Sequence, residues 1–412
     1  MKSSTLKTRH LFQFAAALLF AAIQSHPSTA CAQGALTPPG APAATMKSLA
    51  QIEPRVDVMT LSGSTYCQYL ITNSGAYYLT ANITGVTNKC AIRIEADYVS
   101  LDLGGFVLRG VSLIYPGIQV TKAQRGITIQ NGTLTGWGGG GVLANQAVES
   151  CFVNLRILDS GTSGYASGLQ VGSNCVVSSV IAAGNDYFGI YAGERCLASD
   201  CIVRSNRMTG LFAWSGSQVR NCQASQNLSV GIWAGDGSTL ESCVADANGS
   251  YGLQAGDRAT VTRCTAGGNT NVGIFMGLGA AATSCAAQAN GAHGISAGSG
   301  CIVTGCSVVS NRNCGILVSA DGVVRDCVVR QNLGSGIVVG SGGGGLVVNN
   351  QCTANGSGGN NAGIYLQGAS RAEGNHVVAN NSYGIIATSA GSVVIRNTAT
   401  TNTNAYGFAG GT

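Results

Sequence analysis

Two aspartates that recur at one place in a repeating sequence are the first candidates for chemistry. Asp236 and Asp257 are separated by one 21-residue repeat. If successive repeats stack as strands, the two carboxyl groups lie roughly 5 Å apart, close to the carboxyl separation of a retaining glycosidase. Two such carboxylates could also share a cation such as calcium. Both residues also lie in Ala- and Gly-containing segments typical of turns, where Asp is common, and we favour this structural interpretation.

A column of aromatic side chains borders these carboxylates. Its members stand two residues after a repeated glycine, at what we expect to be an outward-facing strand position. A row of exposed rings could stack on the apolar faces of sugars, so it predicts a surface that binds polysaccharide. The alternative is that the rings only stabilise neighbouring strands. The residues of this predicted surface are Tyr191, Phe212, Trp233 and Phe275, with Trp214 nearby on the coil of Phe212.

Charged residues at the other edge of the same strands form a third candidate. Asp186 and Arg207 are again one repeat apart, and Arg204 lies near them in the sequence. Guanidinium groups bind carboxylates and hydroxyls, so these residues could contact an acidic or hydroxyl-rich ligand. A surface ion pair without a ligand is the alternative that we favour, because such pairs are common and contribute little to stability.

The elements that position these residues follow from the repeat. A Cys, an Asn five residues later and a Gly four residues further on recur every 21 residues, and Ile or Leu follows each Gly. Such a period is typical of a solenoid. We therefore predict an all-β solenoid whose Asn side chains form a ladder of amide hydrogen bonds between coils. The repeated residues are Cys201, Cys222, Cys243, Cys264, Cys285, Cys306 and Cys327; Asn206, Asn227, Asn248, Asn269, Asn290, Asn311 and Asn332; and Gly210, Gly231, Gly252, Gly273, Gly294, Gly315 and Gly336.

The string Cys-x-Val/Ala-x-x-Asn-x-x-x-Gly-Ile-x-Ala resembles the right-handed parallel β-helix repeat of the pectin-lyase-like superfamily. That family more often has Asn at the first position, as the last coils do at Asn350, Asn375 and Asn397. The resemblance implies a right-handed parallel β-helix with about 21 residues per coil. It leaves the activity open, because the superfamily contains lyases, hydrolases, epimerases and adhesins. A segment at His293 resembles the polygalacturonase Gly-His-Gly segment, but the preceding coils lack that family's paired Asp residues.

The cysteines fall into two groups. The seven that recur every 21 residues are predicted to form an inward column, where Cys behaves as a small hydrophobic residue. Cys67 and Cys90 lie outside that column, at the two ends of the first coil-like segment. A disulfide between them would close this segment and protect the exposed end of the solenoid, so we expect a bridge there.

The N-terminus has the pattern of an export signal. Basic residues precede an apolar run, Leu11–Ile23, and Ala30-Cys31-Ala32 then supplies a small-x-small cleavage site. Lipoprotein processing at Cys31 is the less favoured alternative. We therefore expect a protein that is secreted or held at the cell surface or in the periplasm, with no integral membrane segment. The predicted divisions are a signal peptide at 1–32, a disordered leader and N-terminal segment at 33–58, and a single β-helix domain at 59–412.

Charge excludes some classes of partner. The chain has 22 Lys and Arg and 17 Asp and Glu; cleavage would remove Lys2, Lys7 and Arg9 and leave 19 against 17. A nearly neutral chain without a basic stripe argues against nucleic acid as a partner. Only His293 and His376 would remain of the four His residues, so a metal site built from histidines is not expected. We predict no cofactor, apart from the calcium alternative above.

Two functions fit these patterns. The first is binding of an extracellular polysaccharide, with or without cleavage; an enzyme here would be a polysaccharide lyase or a glycoside hydrolase. The second is a non-enzymatic, adhesin-like solenoid whose long regular body is itself the function. The sequence to Thr412 shows no C-terminal cap, so open strand edges could also support self-association.

Overall fold

The computed structural model describes residues 54–408 apart from residues 112, 113, 163, 165 and 358. The predicted signal peptide and most of the predicted leader lie outside the described residues. The described chain is an all-β solenoid of stacked parallel coils, and the predicted fold class is confirmed. A 3-10 turn, Val58–Thr60, begins after Asp57, whose Oδ1 accepts the backbone N–H of Met59 at 2.9 Å. Among the described residues, no helix has the length and apolarity needed to cross a membrane.

One sheet contains 16 parallel strands, one from each coil. Its strands are in register, so that Ile232 pairs with Leu253 and Trp233 with Gln254 of the next coil. Ile232 and Ala234 are buried while Trp233 faces outward, because side chains alternate along a strand. The strands are Cys67–Ile71, Cys90–Ile94, Ile118–Val120, Val142–Ala144, Leu169–Val171, Ile190–Ala192, Leu211–Ala213, Ile232–Ala234, Leu253–Ala255, Ile274–Met276, Ile295–Ala297, Ile316–Val318, Ile337–Val339, Ala362–Leu366, Tyr383–Ala387 and Asn404–Phe408.

A second sheet contains 29 strands arranged as two parallel ribbons. Two long strands, Thr128–Thr135 and Cys151–Leu158, run through both ribbons and join them. The first ribbon also contains Val56–Asp57, Gly75–Tyr78, Val99–Asp102, Val176–Ser178, Leu197–Ser199, Gln218–Arg220, Thr239–Glu241, Thr260–Thr262, Ala281–Thr283, Ile302–Thr304, Val323–Arg325, Leu346–Val348, Arg371–Glu373 and Val393–Ile395. The second also contains Ile83–Thr84, Val107–Arg109, Ile181–Ala183, Ile202–Arg204, Gln223–Ser225, Val244–Asp246, Thr265–Gly267, Ala286–Gln288, Ser307–Val309, Val328–Arg330, Gln351–Thr353, His376–Val378 and Thr398–Thr400.

The corner between the two ribbons is made by a residue in the left-handed conformation. Asp200, Asn221 and Ser242 stand there on successive coils, with φ of 56°, 53° and 53°. Such a residue interrupts the extended conformation of the strand, and the residue that follows it on each of these coils is buried. That following position is occupied by the repeated cysteines. Each repeated cysteine in the sequence therefore marks a corner of the solenoid.

The predicted asparagine ladder is confirmed. Asn248 is buried; its Nδ2 donates to Oδ1 of Asn269 at 3.0 Å and to the carbonyl of Ala224 at 3.1 Å. Its Oδ1 accepts the Nδ2–H and the backbone N–H of Asn227, at 2.9 and 3.1 Å. Each amide thereby satisfies its own polar atoms and those of the bent backbone. The ladder extends beyond the repeat, from Asn185 to Asn402.

The seven repeated cysteines are buried, as predicted. Their surroundings are more polar than a hydrophobic column, which corrects part of that prediction. Sγ of Cys243 contacts the carbonyls of Val219 and Glu241, both at 3.4 Å, and Sγ of Cys264 accepts the backbone N–H of Cys243 at 3.4 Å. The thiols therefore make the same kind of corner contacts as the asparagines, with the longer and weaker bonds of sulfur. Further along the chain, Asn350 takes over this position.

The bridge expected between Cys67 and Cys90 is absent, and every cysteine of the described chain is a free thiol. The two residues are Cα partners on adjacent parallel strands. Parallel strands in register direct both side chains the same way, whereas a disulfide needs a Cβ–S–S–Cβ angle near 90°. Sγ of Cys67 instead lies 3.2 Å from Oγ of Ser64, and Cys90 donates to the carbonyl of Tyr66. Burial raises the pKa of Cys90 to about 12.

Candidate functional site

The predicted aromatic column lies on the outer face of the 16-stranded sheet. Tyr191, Phe212 and Trp233 are Cα partners on three consecutive strands. The rings of Tyr191 and Phe212 are parallel with centroids 5.2 Å apart, and Trp233 meets Phe212 edge-on at 4.0 Å. The rings therefore pack on one another as an aromatic cluster.

Phe212 is the clearest departure from the expected exposed strip, because only 4% of it is exposed. Phe188 covers it from one side at 5.3 Å and Trp214 from the other at 5.4 Å. The expectation that Phe212 is exposed is therefore wrong, and its ring is not open to solvent as its predicted role in binding requires. Phe275 is separate from the cluster: Gln254 stands between it and Trp233, and its ring stacks on Tyr251 at 5.3 Å.

Trp214 occupies a position at which the neighbouring coils have glycine. A Cβ added to Gly235 would lie 2.7 Å from the backbone nitrogen of Ser215, and one added to Gly277 would lie 2.7 Å from that of Asp257. A Cβ at these two glycines would collide with the backbone of the preceding coil, whereas the chain at position 214 accommodates a tryptophan. We call this series the glycine lane; it consists of Gly172, Gly193, Gly235, Gly256, Gly277 and Gly298, interrupted by Trp214.

A shallow groove of about 300 Å³ lies beside Trp214, over the first two glycines of the lane. Trp214 is 43% exposed, and its indole N–H donates to the hydroxyl oxygen of Tyr191. Glu194 lines the groove and is paired with Arg195 at 3.0 Å. This arrangement combines an apolar ring, a hydroxyl and a carboxylate. The lining residues are Asn145, Val171, Gly172, Ser173, Tyr191, Gly193, Glu194 and Trp214.

Glu194 was not among the predicted site residues, although the repeat points to it. Glu194 precedes Asp236 by two repeats of 21 residues and shares its place in the coil. Phe188 and Tyr187 precede the repeated glycine and lie outside the column two residues after it, so the repeat did not predict them as part of this surface. Tyr187 packs on Phe188 at 4.2 Å, which widens the cluster toward the opposite edge of the sheet.

The two candidate catalytic aspartates have structural hydrogen bonds. Oδ1 of Asp236 accepts the backbone N–H of Asp257 at 2.9 Å, and Oδ1 of Asp257 accepts that of Leu278 at 2.8 Å. Each carboxylate thus joins its turn to the turn of the next coil, which supports the structural interpretation. Within the described residues, no group of three or more His, Cys, Asp or Glu side chains is placed to hold a metal ion.

The charged candidates at the opposite edge are partly brought together. Nε of Arg207 lies 3.2 Å from Oδ1 of Asp186, so these residues form the stacked ion pair that the repeat predicts. Arg204 is exposed on Ile202–Arg204, at the end of a strand of the second ribbon. Exposed pairs of this kind contribute little to stability.

His293 is half-buried, and its buried Nδ1 has no hydrogen-bond partner within the described structure. Burial lowers the pKa of this imidazole. The same repeat position is occupied by Val272 one coil earlier and by Cys314 one coil later. Neither neighbour is a carboxylate that could orient the imidazole for acid–base chemistry.

The chain resembles the Azotobacter vinelandii mannuronan C-5 epimerase AlgE4 A-module at 15% identity, over 82% of this chain and 87% of that one, with a TM-score of 0.37. It resembles the periplasmic alginate epimerase AlgG at 14% identity, over 77% of this chain and 76% of that one, with a TM-score of 0.41. It resembles the siphovirus 9NA tailspike receptor binding domain at 10% identity, over 89% of this chain and 78% of that one, with a TM-score of 0.37. At these values the similarity carries no argument about activity.

No curated protein matches the chain. A family model described as a right handed beta helix region matches residues 91–242, 189–320 and 282–370. These overlapping matches extend without a gap from residue 91 to residue 370, over more than half of the sequence. The chain therefore belongs to the right-handed β-helix family.

Proposed function

We propose that this protein is exported and binds extracellular polysaccharide in the groove beside Trp214. The observation that carries the proposal is the position of Trp214: a large, exposed indole stands where the neighbouring coils have glycine. An exposed tryptophan beside a groove offers an apolar surface to a sugar ring.

The polar groups of the groove suit sugar hydroxyls. The hydroxyl oxygen of Tyr191 accepts from Trp214, which leaves its own proton to donate to a ligand. Glu194 supplies carboxylate oxygens that accept hydrogen bonds, although Arg195 is already paired with it. Glu194 is the single charged residue among the described residues that line the groove. A site without a lining cation favours a neutral glycan over an acidic one.

We propose binding without cleavage. A retaining glycosidase needs one carboxylate as a nucleophile and one as an acid, whereas Asp236 and Asp257 each bind a backbone N–H of the next coil. Glu194 is two coils away from Asp236 in the same column, which is roughly 10 Å at the usual strand spacing. The groove therefore has one carboxylate of its own.

A structural solenoid is the second candidate, and the burial of Phe212 favours it. If the rings only hold neighbouring strands together, every aromatic residue of the cluster should contribute to stability and none to binding. The two candidate functions therefore predict different effects of replacing Trp214 on binding and on stability.

The test is a glycan array with the purified chain, followed by titration of the strongest hit against two variants. Trp214→Ala should weaken binding several-fold, since each stacked ring contributes on the order of 1 kcal/mol, with little change in the unfolding temperature. Phe212→Ala should lower the free energy of unfolding by on the order of 3 kcal/mol. The absence of any hit, or a Trp214→Ala variant that binds normally and unfolds early, would support the structural solenoid.

A further inference from the structure

The glycine lane forms a strip of backbone along the edge of the 16-stranded sheet. Its residues follow directly after the strands, as Gly193 follows Ile190–Ala192 and Gly235 follows Ile232–Ala234. Equivalent residues on successive coils lie roughly 4.8 Å apart. Because the glycines of the lane carry no side chains, an extended chain of sugars could lie along an uninterrupted part of it over several coils.

Trp214 interrupts this strip, and its position is fixed from two sides. Its indole N–H donates to Tyr191 on the preceding coil, and its ring meets Phe212 edge-on, with 71° between the two planes. Its backbone N–H donates to the carbonyl of Ala192 at 3.0 Å, as the glycines at 193 and 235 donate to theirs. The main chain at Trp214 therefore keeps the hydrogen bond of the lane, and only the side chain protrudes.

The groove lies entirely on one side of this obstacle. Its other lining residues come from the three preceding coils, at Asn145, at Val171–Ser173 and at Tyr191–Glu194. Trp214 is the single lining residue from its own coil, so it forms the wall at the C-terminal end of the groove. Beyond the wall the lane continues through Gly235 and Gly256.

We propose that Trp214 determines specificity by blocking the lane, so that the groove binds the terminal sugars of a glycan chain. The inference rests on the proposed function. A chain bound along its interior would have to continue from the groove past Trp214, where the indole occupies its path. A chain end stops at the indole, stacks against it and presents its additional terminal hydroxyl to Tyr191 and Glu194.

The chain itself suggests the decisive variant. Trp214→Gly restores the residue found at this position on the neighbouring coils, so it should fold normally and open the lane. Tyr191→Phe is the matched control, because it removes the hydroxyl that faces the groove, and with it the acceptor of the indole N–H, but keeps the indole and its contact with Phe212. The first variant should change which part of a glycan is bound, and the second should only weaken binding.

The probe is the polysaccharide that gives the strongest array signal, partly hydrolysed and separated into fractions of different mean length. Each fraction competes with the intact polymer at equal mass of sugar. Occupancy follows the molar concentration of binding sites; for end binding, a fraction about tenfold shorter should therefore inhibit the wild-type chain and Tyr191→Phe about tenfold better. Inhibition of Trp214→Gly should change less than about twofold.

Three results would overturn the inference, and they can be distinguished from one another. Inhibition of the wild-type chain that is independent of length shows interior binding, and it leaves the proposed function standing. If inhibition depends on fragment length in Trp214→Gly as strongly as in the wild-type chain, the indole is not what excludes the interior of the glycan chain. If no glycan binds at all, the proposed function fails and this inference fails with it.

Discussion

Oδ1 of Asp257 accepts the backbone N–H of Leu278, and Oδ1 of Asp236 accepts that of Asp257. A carboxylate that binds the next turn in this way needs only its acceptor oxygen. The turn role and the catalytic role of these residues therefore make different predictions for Asp→Asn changes, because an amide keeps one acceptor oxygen but cannot serve as a nucleophile.

Asp257→Asn should leave the free energy of unfolding almost unchanged, whereas Asp257→Ala should lower it by about 1 kcal/mol through loss of the hydrogen bond to Leu278. Denaturant unfolding of the two variants checks this. The matching pair at Asp236 should behave in the same way. If a glycan-cleaving activity is found and Asp257→Asn abolishes it without changing stability, the turn interpretation is wrong.

Cys264 shows how the corner contacts change an expectation drawn from sequence. A hydrophobic column would disfavour serine, but Sγ of Cys264 accepts the N–H of Cys243 and contacts the carbonyl of Thr262, both at 3.4 Å. At another corner, Oγ of Ser217 makes equivalent bonds to Cys196 and Gly193.

We predict that Cys264→Ser changes the free energy of unfolding by less than about 1 kcal/mol, while Cys264→Val lowers it by about 2 kcal/mol because the N–H of Cys243 loses its acceptor. Urea unfolding under reducing conditions measures both changes. If the serine variant is less stable than the valine variant, the role of Cys264 is purely hydrophobic and the prediction is wrong.

At the scale of strands and turns, the sequence was informative wherever one side chain type repeats. The spacing of Asn206, Asn227 and Asn248 predicted their ladder, since residues at the same place in stacked coils must be neighbours. It could not predict that Phe212 is covered, because the repeat gives the position of a residue and not the direction of its χ angles. Trp214 was predicted as part of the aromatic surface, but its position beside the groove and within the glycine lane became clear only from the structure.

The ladder makes a prediction about stability at this scale. Asn248 takes part in four buried hydrogen bonds, two through each atom of its amide. Asn248→Ala would leave the Nδ2–H and the backbone N–H of Asn227 without their acceptor, at about 1–3 kcal/mol for each buried group. We therefore expect a loss of at least about 2 kcal/mol in denaturant unfolding.

Asn402, on the last described rung, is the matched control for this change. Its Oδ1 accepts two bonds from Asn380 and its Nδ2 donates to Val377, but it is only partly buried. Asn402→Ala should therefore cost clearly less than Asn248→Ala, because water can replace part of what is lost. Equal losses at the two positions would show that burial along the ladder does not set its energetic contribution.

At the scale of the whole molecule, buried thiols link stability to pH. Burial raises the pKa of Cys90 to about 12 and also raises that of Cys352. In the unfolded chain these thiols have their ordinary pKa, near 8.5. Above that value the unfolded chain loses protons that the folded chain keeps, so the stabilising contribution is complete below about pH 8.5 and is lost as the pH rises toward the folded pKa.

We predict that the free energy of unfolding, measured with urea under reducing conditions, falls between pH 8.5 and 10. Cys90 and Cys352 should each contribute a slope of up to about 1.4 kcal/mol per pH unit. Cys352→Ala should be less stable than the wild-type chain at pH 7, because it leaves a cavity in the core. Its free energy of unfolding should nevertheless fall less steeply with pH, because the contribution of one buried thiol is missing. A wild-type slope near zero over this range would mean that Cys90 and Cys352 ionise as readily in the folded solenoid as in the unfolded chain, which contradicts their burial.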